Sequence, residues 1–250
     1  MRRTIITLGF FVLLLNYGCG GGGGSGSSNA IPSPAEGLWT GSTSNGRTAT
    51  GVVLDDGTYW ILYSSQGNSS LIAGAVQGTS ISKDGAFTSS NGKDFNLEVM
   101  EINNATVNAS YTEKESFTGV MTYTGFADQV IFYGFYDSDY DLTPDLSIVS
   151  GTYYGEAATS GGIDSVTVTI STSGSITGIS ESGCSFSGTI TPRSSGNIYN
   201  VSIRFGGGIC ALGSSTVRGI AYFDESRGEM YSAALNSSRS DGFICVGAKL

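Results

Sequence analysis

The sequence predicts an all-β protein of two tandem small antiparallel meander β-barrels, about eight strands each, behind a flexible tether. Three observations carry that expectation. Short runs of Val, Ile, Tyr and Phe recur at close spacing, and no stretch sustains apolar residues at intervals of three and four. Ser, Gly and Asn fill nearly every gap between those runs, in a chain with 38 Gly, 13 Tyr and 12 Phe. The two halves also repeat one another in order, as they would if one architecture occurred twice.

From the N-terminus, Met1-Arg2-Arg3 is a short basic stretch and Ile5 to Leu15 is an almost unbroken apolar run. Gly18-Cys19 then places a small residue before a cysteine, which makes residues 1–18 a bacterial export signal. The apolar run falls well short of the roughly twenty residues that a spanning helix needs. Residues 19–35 are rich in Gly and Ser, cannot bury apolar surface, and read as a mobile tether.

Residues 36–136 are expected to form the first barrel, 137–149 an acidic linker and 150–250 the second barrel. Glu36-Gly37-Leu38-Trp39-Thr40-Gly41 matches Ser150-Gly151-Thr152-Tyr153-Tyr154-Gly155 as Gly-x-aromatic-x-Gly. Asp56-Gly57-Thr58 resembles Ser173-Gly174-Ser175 as a turn into a strand. Ile72 to Gly78 parallels Phe186 to Thr191, and Phe117 to Tyr123 parallels Val217 to Phe223. In the second half, strands are expected at 151–159, 165–172, 175–180, 185–191, 198–205, 216–223, 229–235 and 242–247. Val166/Val168/Ile170 alternate with Thr167/Thr169, and Val201/Ile203/Phe205 with Ser202/Arg204, giving each strand one apolar face. The first half shows an irregularity around Asn91–Asp94. Trp39, Trp60, Tyr153 and Phe186 are expected as core, in barrels small enough to be filled by their own side chains.

Gly18-Cys19 and the glycine run behind it resemble the start of Gram-negative bacterial lipoproteins, although Asn16-Tyr17 stand where that pattern prefers Leu and a small residue. The resemblance implies a diacylglyceryl thioether on Cys19, and the absence of Asp at position 20 implies an outer-membrane destination. The alternative is cleavage to a soluble periplasmic protein. Gly37-Leu38-Trp39 is similar to the Gly-x-Trp of lipocalins, whose fold implies a small apolar ligand inside the barrel. Two barrel-like lobes on a lipid anchor also resemble the transferrin-binding surface lipoproteins.

In an oxidising compartment the remaining cysteines are expected to pair. A hairpin turn at Ser194–Asn197 folds Cys184 back toward Cys210, so these two are expected as a disulfide at one rim, with Cys245 left as a buried thiol. Cys245 is the alternative partner for either.

The chain has no histidine, which excludes Ser-His-Asp and Cys-His catalysis and histidine metal sites. No cofactor and no metal are expected. Glu98/Glu101 and Glu113/Glu115 are the acid pairs that glycoside chemistry would draw on, and solvated strand ends or turns are the plainer reading. Asp137, Asp139 and Asp141 alternate as at the opening of a calcium loop, but Leu142 and Ile148 stand where Gly and a closing Glu belong. A solvated connector is the expected structure there. A net charge of −9 argues against nucleic acid as a partner.

These features point to a non-catalytic envelope module that engages a protein partner. Carriage of a small apolar ligand is the alternative, and a glycan-active enzyme the third reading. Filled barrels with an exposed apolar patch would favour the first, an apolar cavity the second, and convergent acids in a cleft the third.

Overall fold

Alternating apolar and polar positions fold the chain into two closed antiparallel barrels of eight strands each. The structure is a computed structural model and describes residues 34–127 and 129–250, so the export signal, Cys19 and the tether lie outside the described residues.

The first barrel comprises β1 (Gly37–Thr43), β2 (Thr48–Val53), β3 (Thr58–Ser65), β4 (Asn68–Thr79), β6 (Ala86–Asn96), β7 (Glu101–Thr112), β8 (Ser116–Tyr123) and β9 (Gln129–Asp137). A three-residue strand, β5 (Ile81–Lys83), lies between β4 and β6 and pairs only with β6. Closure comes from β1 pairing β9 and β4 pairing β6. A 3₁₀ turn at Ser138–Asp141 and the short helix α1 (Leu146–Val149) lead into the second barrel. Its strands are β10 (Gly151–Thr159), β11 (Gly162–Ile170), β12 (Ser175–Ser180), β13 (Ser185–Pro192), β14 (Tyr199–Phe205), β15 (Thr216–Asp224), β16 (Glu229–Leu235) and β17 (Gly242–Lys249), closed by β10 on β17.

The strand expected from Ser165 begins at Gly162, because Thr159 pairs with Gly162 across a two-residue hairpin loop. It ends at Ile170, where Ser171 turns back: its N–H donates to the Ser175 carbonyl and its own carbonyl accepts from Gly174, both at 2.9 Å.

Equivalent strands of the two barrels use the same local devices. Trp39 Nε1 on β1 donates to the Ala35 carbonyl at 3.1 Å, and Tyr153 Oη on β10 donates to the Val149 carbonyl at 2.8 Å. Each aromatic ring thus ties down the segment four residues before it, and Ala35 and Val149 are both fully buried as barrel floors. The turns into the third strands also correspond, with Gly57 N–H on the Leu54 carbonyl and Gly174 N–H on the Ser171 carbonyl, each at 2.9 Å. The parallel between Phe117–Tyr123 and Val217–Phe223 does not hold: β8 is the seventh strand of its barrel and β15 the sixth. The two segments share little beyond a glycine at their third position among apolar and aromatic residues, a composition common to many strands of this chain, so that resemblance carried no positional information.

Trp39 and Tyr153 lie inside their barrels, but Trp60 does not. Successive strand residues face opposite sides, so with Tyr59 inward Trp60 points out. It is buried against the second barrel, in a cluster with Leu38, Val52 and Leu54 of the first barrel and Ile220, Tyr222 and Leu235 of the second. Arg193 pairs with Asp55 at 2.5 Å at the edge of this contact. The connector is correspondingly less solvated than expected. Tyr140 sits in the same cluster, and its hydroxyl donates to Glu36 Oε1 at 3.0 Å.

Cys184 and Cys210 form a disulfide with Cα atoms 4.8 Å apart, joining the start of β13 to the long β14–β15 loop. By loop-closure entropy over a separation of 26 residues, this link contributes roughly 3 kcal/mol. A Cys184→Ser/Cys210→Ser variant should therefore melt well below the wild type under non-reducing conditions. Equal melting temperatures would show that the loop needs no staple.

Candidate functional site

Both barrels are hollow, which corrects the expectation of interiors filled by their own side chains. The second holds a cavity of about 400 Å³ and the first one of about 270 Å³.

In the second barrel the inward positions of the alternating strands supply Val166, Ile176, Ile190, Val201, Ile203 and Met230, with Phe186, Phe205 and Phe243 toward one end. Val149 and Tyr153 close the floor. Tyr199 holds the start of the helix that ends at Val149: its hydroxyl accepts from the Asp145 N–H at 2.8 Å and donates to the Asp145 carbonyl at 3.1 Å. At the opposite end the lining includes Gly161, Ile163, Asp164, Ser182, Cys184 and Ile209, so the disulfide stands at the mouth. Ile163 and Ile209 are more than half exposed there, leaving an apolar rim.

Cys245 is half-buried rather than fully buried, because it faces this hollow beside Phe243. Burial pushes its thiol up to about 12, so it is inert as a nucleophile at neutral pH.

The first cavity has a different chemistry. Trp39, Phe87, Phe117 and Phe132 form a contiguous aromatic wall, with ring centroids 5.3 Å apart for Trp39–Phe117, 4.9 Å for Phe87–Phe117 and 5.6 Å for Phe117–Phe132. Asp94 lies among these apolar residues at only 3% exposure. Tyr63 Oη donates to its Oδ1 at 2.7 Å, and the Tyr123 side chain also hydrogen-bonds it. Burial raises the Asp94 carboxyl above its ordinary range, and the two phenols and the Arg47 charge offset this only in part. Tyr63 reaches Asp94 by lying across β4 at Gly74, where any Cβ would collide with the phenol.

Arg47 stands at the mouth. Its guanidinium meets Glu98 Oε2 at 2.6 Å, donates to the Ser64 carbonyl at 2.9 Å and sits 5.4 Å from the centre of the Tyr63 ring.

Asp94 faces inward because of the irregularity anticipated near Asn91–Asp94. Ser89 pairs with Val107 and Gly92 with Ala105, so β6 carries one extra residue in a bulge. The inward positions shift there from odd to even numbers. Phe87 and Ser89 are buried before the bulge, Gly92 and Asp94 after it. Lys93 is thereby turned outward, where its Nζ donates to the Arg239 carbonyl at 3.0 Å. Strict alternation read from Phe87 puts Lys93 inside, which is why sequence reasoning did not single out Asp94.

The other candidate acids do not converge. Glu98 binds Arg47, Glu101 begins β7, Glu113 and Glu115 are exposed in the β7–β8 turn, and none of the four lines either barrel cavity. Asp137 caps the 3₁₀ turn through the Asp139 N–H at 3.1 Å. Asp139 accepts from Tyr222 Oη at 3.2 Å, while Asp141 accepts from Lys114 at 2.7 Å and Tyr136 at 2.9 Å. Among the described residues no group of three or more acids and cysteines could hold a metal ion, and no helix is long and apolar enough to cross a membrane.

No protein-family model matches the chain, and no curated protein matches it. Among solved structures it is similar to a Bacteroides fragilis protein assigned to the outer membrane, at 14% identity and a TM-score of 0.27, over 88% of this chain and 98% of that one. It is similar to a variant of transferrin-binding protein B, a vaccine antigen from Haemophilus parasuis, at 14% identity and a TM-score of 0.30. That match covers 82% of this chain and 51% of the other, so this chain spans about half its length. A protein of unknown function from Nostoc punctiforme is similar at 11% identity and a TM-score of 0.23, over 87% of this chain and 97% of that one.

Proposed function

We propose that this chain is a non-catalytic binding module of the cell envelope, anchored to the outer membrane through a lipidated Cys19, whose second barrel carries a small apolar ligand. The observation that carries the reading is the roughly 400 Å³ hollow in that barrel, lined by aliphatic and aromatic side chains and opening through an apolar rim. A void of this size and lining lies within the range of ligand pockets, and emptiness costs the packing that filled interiors gain. The Gly/Ser tether behind Cys19 would let the barrels stand clear of the membrane.

The test is titration of the full chain with an environment-sensitive fluorophore, N-phenyl-1-naphthylamine. Ala157 lines the second cavity and Ala49 the first. Ala157→Phe should weaken binding by about tenfold or more, and Ala49→Phe should not. A wild type that leaves the fluorophore dark, or a folded Ala157→Phe variant that binds as well as wild type, would sink the carriage reading. Intact mass of the membrane-extracted protein against Cys19→Ala tests the anchor separately.

A protein partner remains a second reading on one observation. Ile131, Tyr133 and Phe135 alternate along the outer face of β9, exposed by 37%, 48% and 66%. An aromatic stripe of this kind on a barrel wall is the type of surface that proteins dock on.

A further inference from the structure

We propose that the first barrel is a separate binding site for a small organic ammonium ion, held between the Asp94 carboxylate and the aromatic faces of Trp39, Tyr63, Phe117, Tyr123 and Phe132. This is independent of whatever the second barrel carries.

Asp94 is a buried acid on a cavity wall, and among the described residues it makes no ion pair within 4.0 Å. Two phenol hydroxyls serve it, whereas an ionised carboxylate offers about four acceptor positions. A buried charge hydrogen-bonded only by neutral donors, with the Arg47 charge offsetting its burial only in part, burdens the fold, and a cation in the cavity reduces the imbalance. Arg47 is the only other charged side chain lining this cavity among the described residues. Its guanidinium is committed to Glu98 and the Ser64 carbonyl at the mouth. It also rests near the Tyr63 ring, a cation–aromatic contact of the type the inner rings would make with a ligand.

The remaining wall restricts the ligand further. The wall formed by Trp39, Phe87, Phe117, Phe132 and Met121 is apolar, so the part of the ligand seated against it must be apolar too, while Ser42, Thr43, Asn45, Asn96 and Asn103 add polar side chains elsewhere in the lining. At about 270 Å³ the space sits just under the lower end of drug-sized pockets. A primary amine on a short arylalkyl or alkyl chain satisfies all of these conditions. An inorganic cation is served less well, because Asp94 is the one carboxylate in the lining and no group of three or more acids or cysteines that could hold a metal stands among the described residues. The second barrel offers the contrast within one molecule: its acid, Asp164, stands at the mouth, and among the described residues no other charged side chain lines its cavity.

The experiment is calorimetric titration of the full chain with 2-phenylethylammonium and, in parallel, with the neutral 2-phenylethanol. At neutral pH the ammonium ion should bind at least about tenfold more tightly than the alcohol. Asp94→Asn keeps an acceptor for both tyrosines and should remove that preference, while Ala157→Phe in the other barrel should leave it intact. Near-UV circular dichroism reports whether Asp94→Asn is folded. If it is not, the wild type still decides the question. Ammonium affinity should fall as the pH is lowered and Asp94 takes up a proton, at a higher pH than for an exposed carboxylate because burial has raised its carboxyl, and alcohol affinity should stay level. Equal affinity for the two probes, binding of neither, or an ammonium affinity indifferent both to pH and to Asp94→Asn would overturn the proposal.

Discussion

Gly155→Ala is expected to cost the second barrel on the order of 3 kcal/mol, whereas Gly247→Ala, directly across the same strand pair, should change stability by less than about 1 kcal/mol. The two glycines face each other where β10 meets β17. A Cβ on Gly155 would run into the Val246 carbonyl and the Gly247 Cα, both backbone, which no side-chain rotation can relieve. A Cβ on Gly247 meets Tyr153 Cβ and the Tyr154 carbonyl at 3.5 Å, an ordinary van der Waals distance. The first barrel repeats the asymmetry at its own seam, where Gly41 faces Gly134 between β1 and β9. Gly41 would overlap the Tyr133 carbonyl, while Gly134 has room for a methyl group. Thermal melts of the four alanine variants give the result directly. Indistinguishable losses on both sides of either seam would show that close backbone approach is not what closes these barrels.

Trp60→Ala should destabilise the protein by about 3–5 kcal/mol, with a signature that core truncation inside one barrel would lack. Trp60 is 7% exposed, and it is buried by the other barrel instead of by its own. Removing the indole opens a void between two units that each keep a closed sheet and an interior of their own. Calorimetry should then resolve two transitions where the wild type shows one, because the shared contact couples the lobes. Phe87→Ala, inside the first barrel, should lower stability by a comparable amount and affect chiefly the transition of that lobe. If Trp60→Ala melts in one transition at the wild-type temperature, the contact between the barrels contributes little.

Much of the architecture was legible because strand phase is written into the sequence. Val166/Val168/Ile170 and Val201/Ile203/Phe205 announce one inward face each, and the Ser/Gly turns between them leave little freedom in strand number. The hairpin geometry that brings Cys184 toward Cys210 follows from the same reasoning. The contact between barrels was legible too, but its signal went unused. Tyr59-Trp60-Ile61-Leu62-Tyr63 and Ile220-Ala221-Tyr222-Phe223 break alternation with consecutive apolar residues, as strands buried on both faces do.

What alternation could not reveal is how completely an interior is filled. Cavity volume depends on how inward side chains from eight strands meet across the barrel, a sum over distant residues that no local pattern encodes. Trp39, Tyr153 and Phe186, expected as solid core, are therefore cavity walls as well as core. The acid in the first cavity escaped for a narrower reason: its inward orientation depends on one residue of slack in β6.

That slack makes the sign of the first cavity a property of strand register as much as of composition. Deleting either Ser90 or Asn91 would remove the bulge and leave Asp94 inward, whereas β6 paired at full length without the bulge would turn Lys93 inward in its place. An anionic interior would become a cationic one with no side chain exchanged. Whatever fixes the pairing of β6 between Ser89 and Gly92 therefore fixes which charge the first barrel can accommodate.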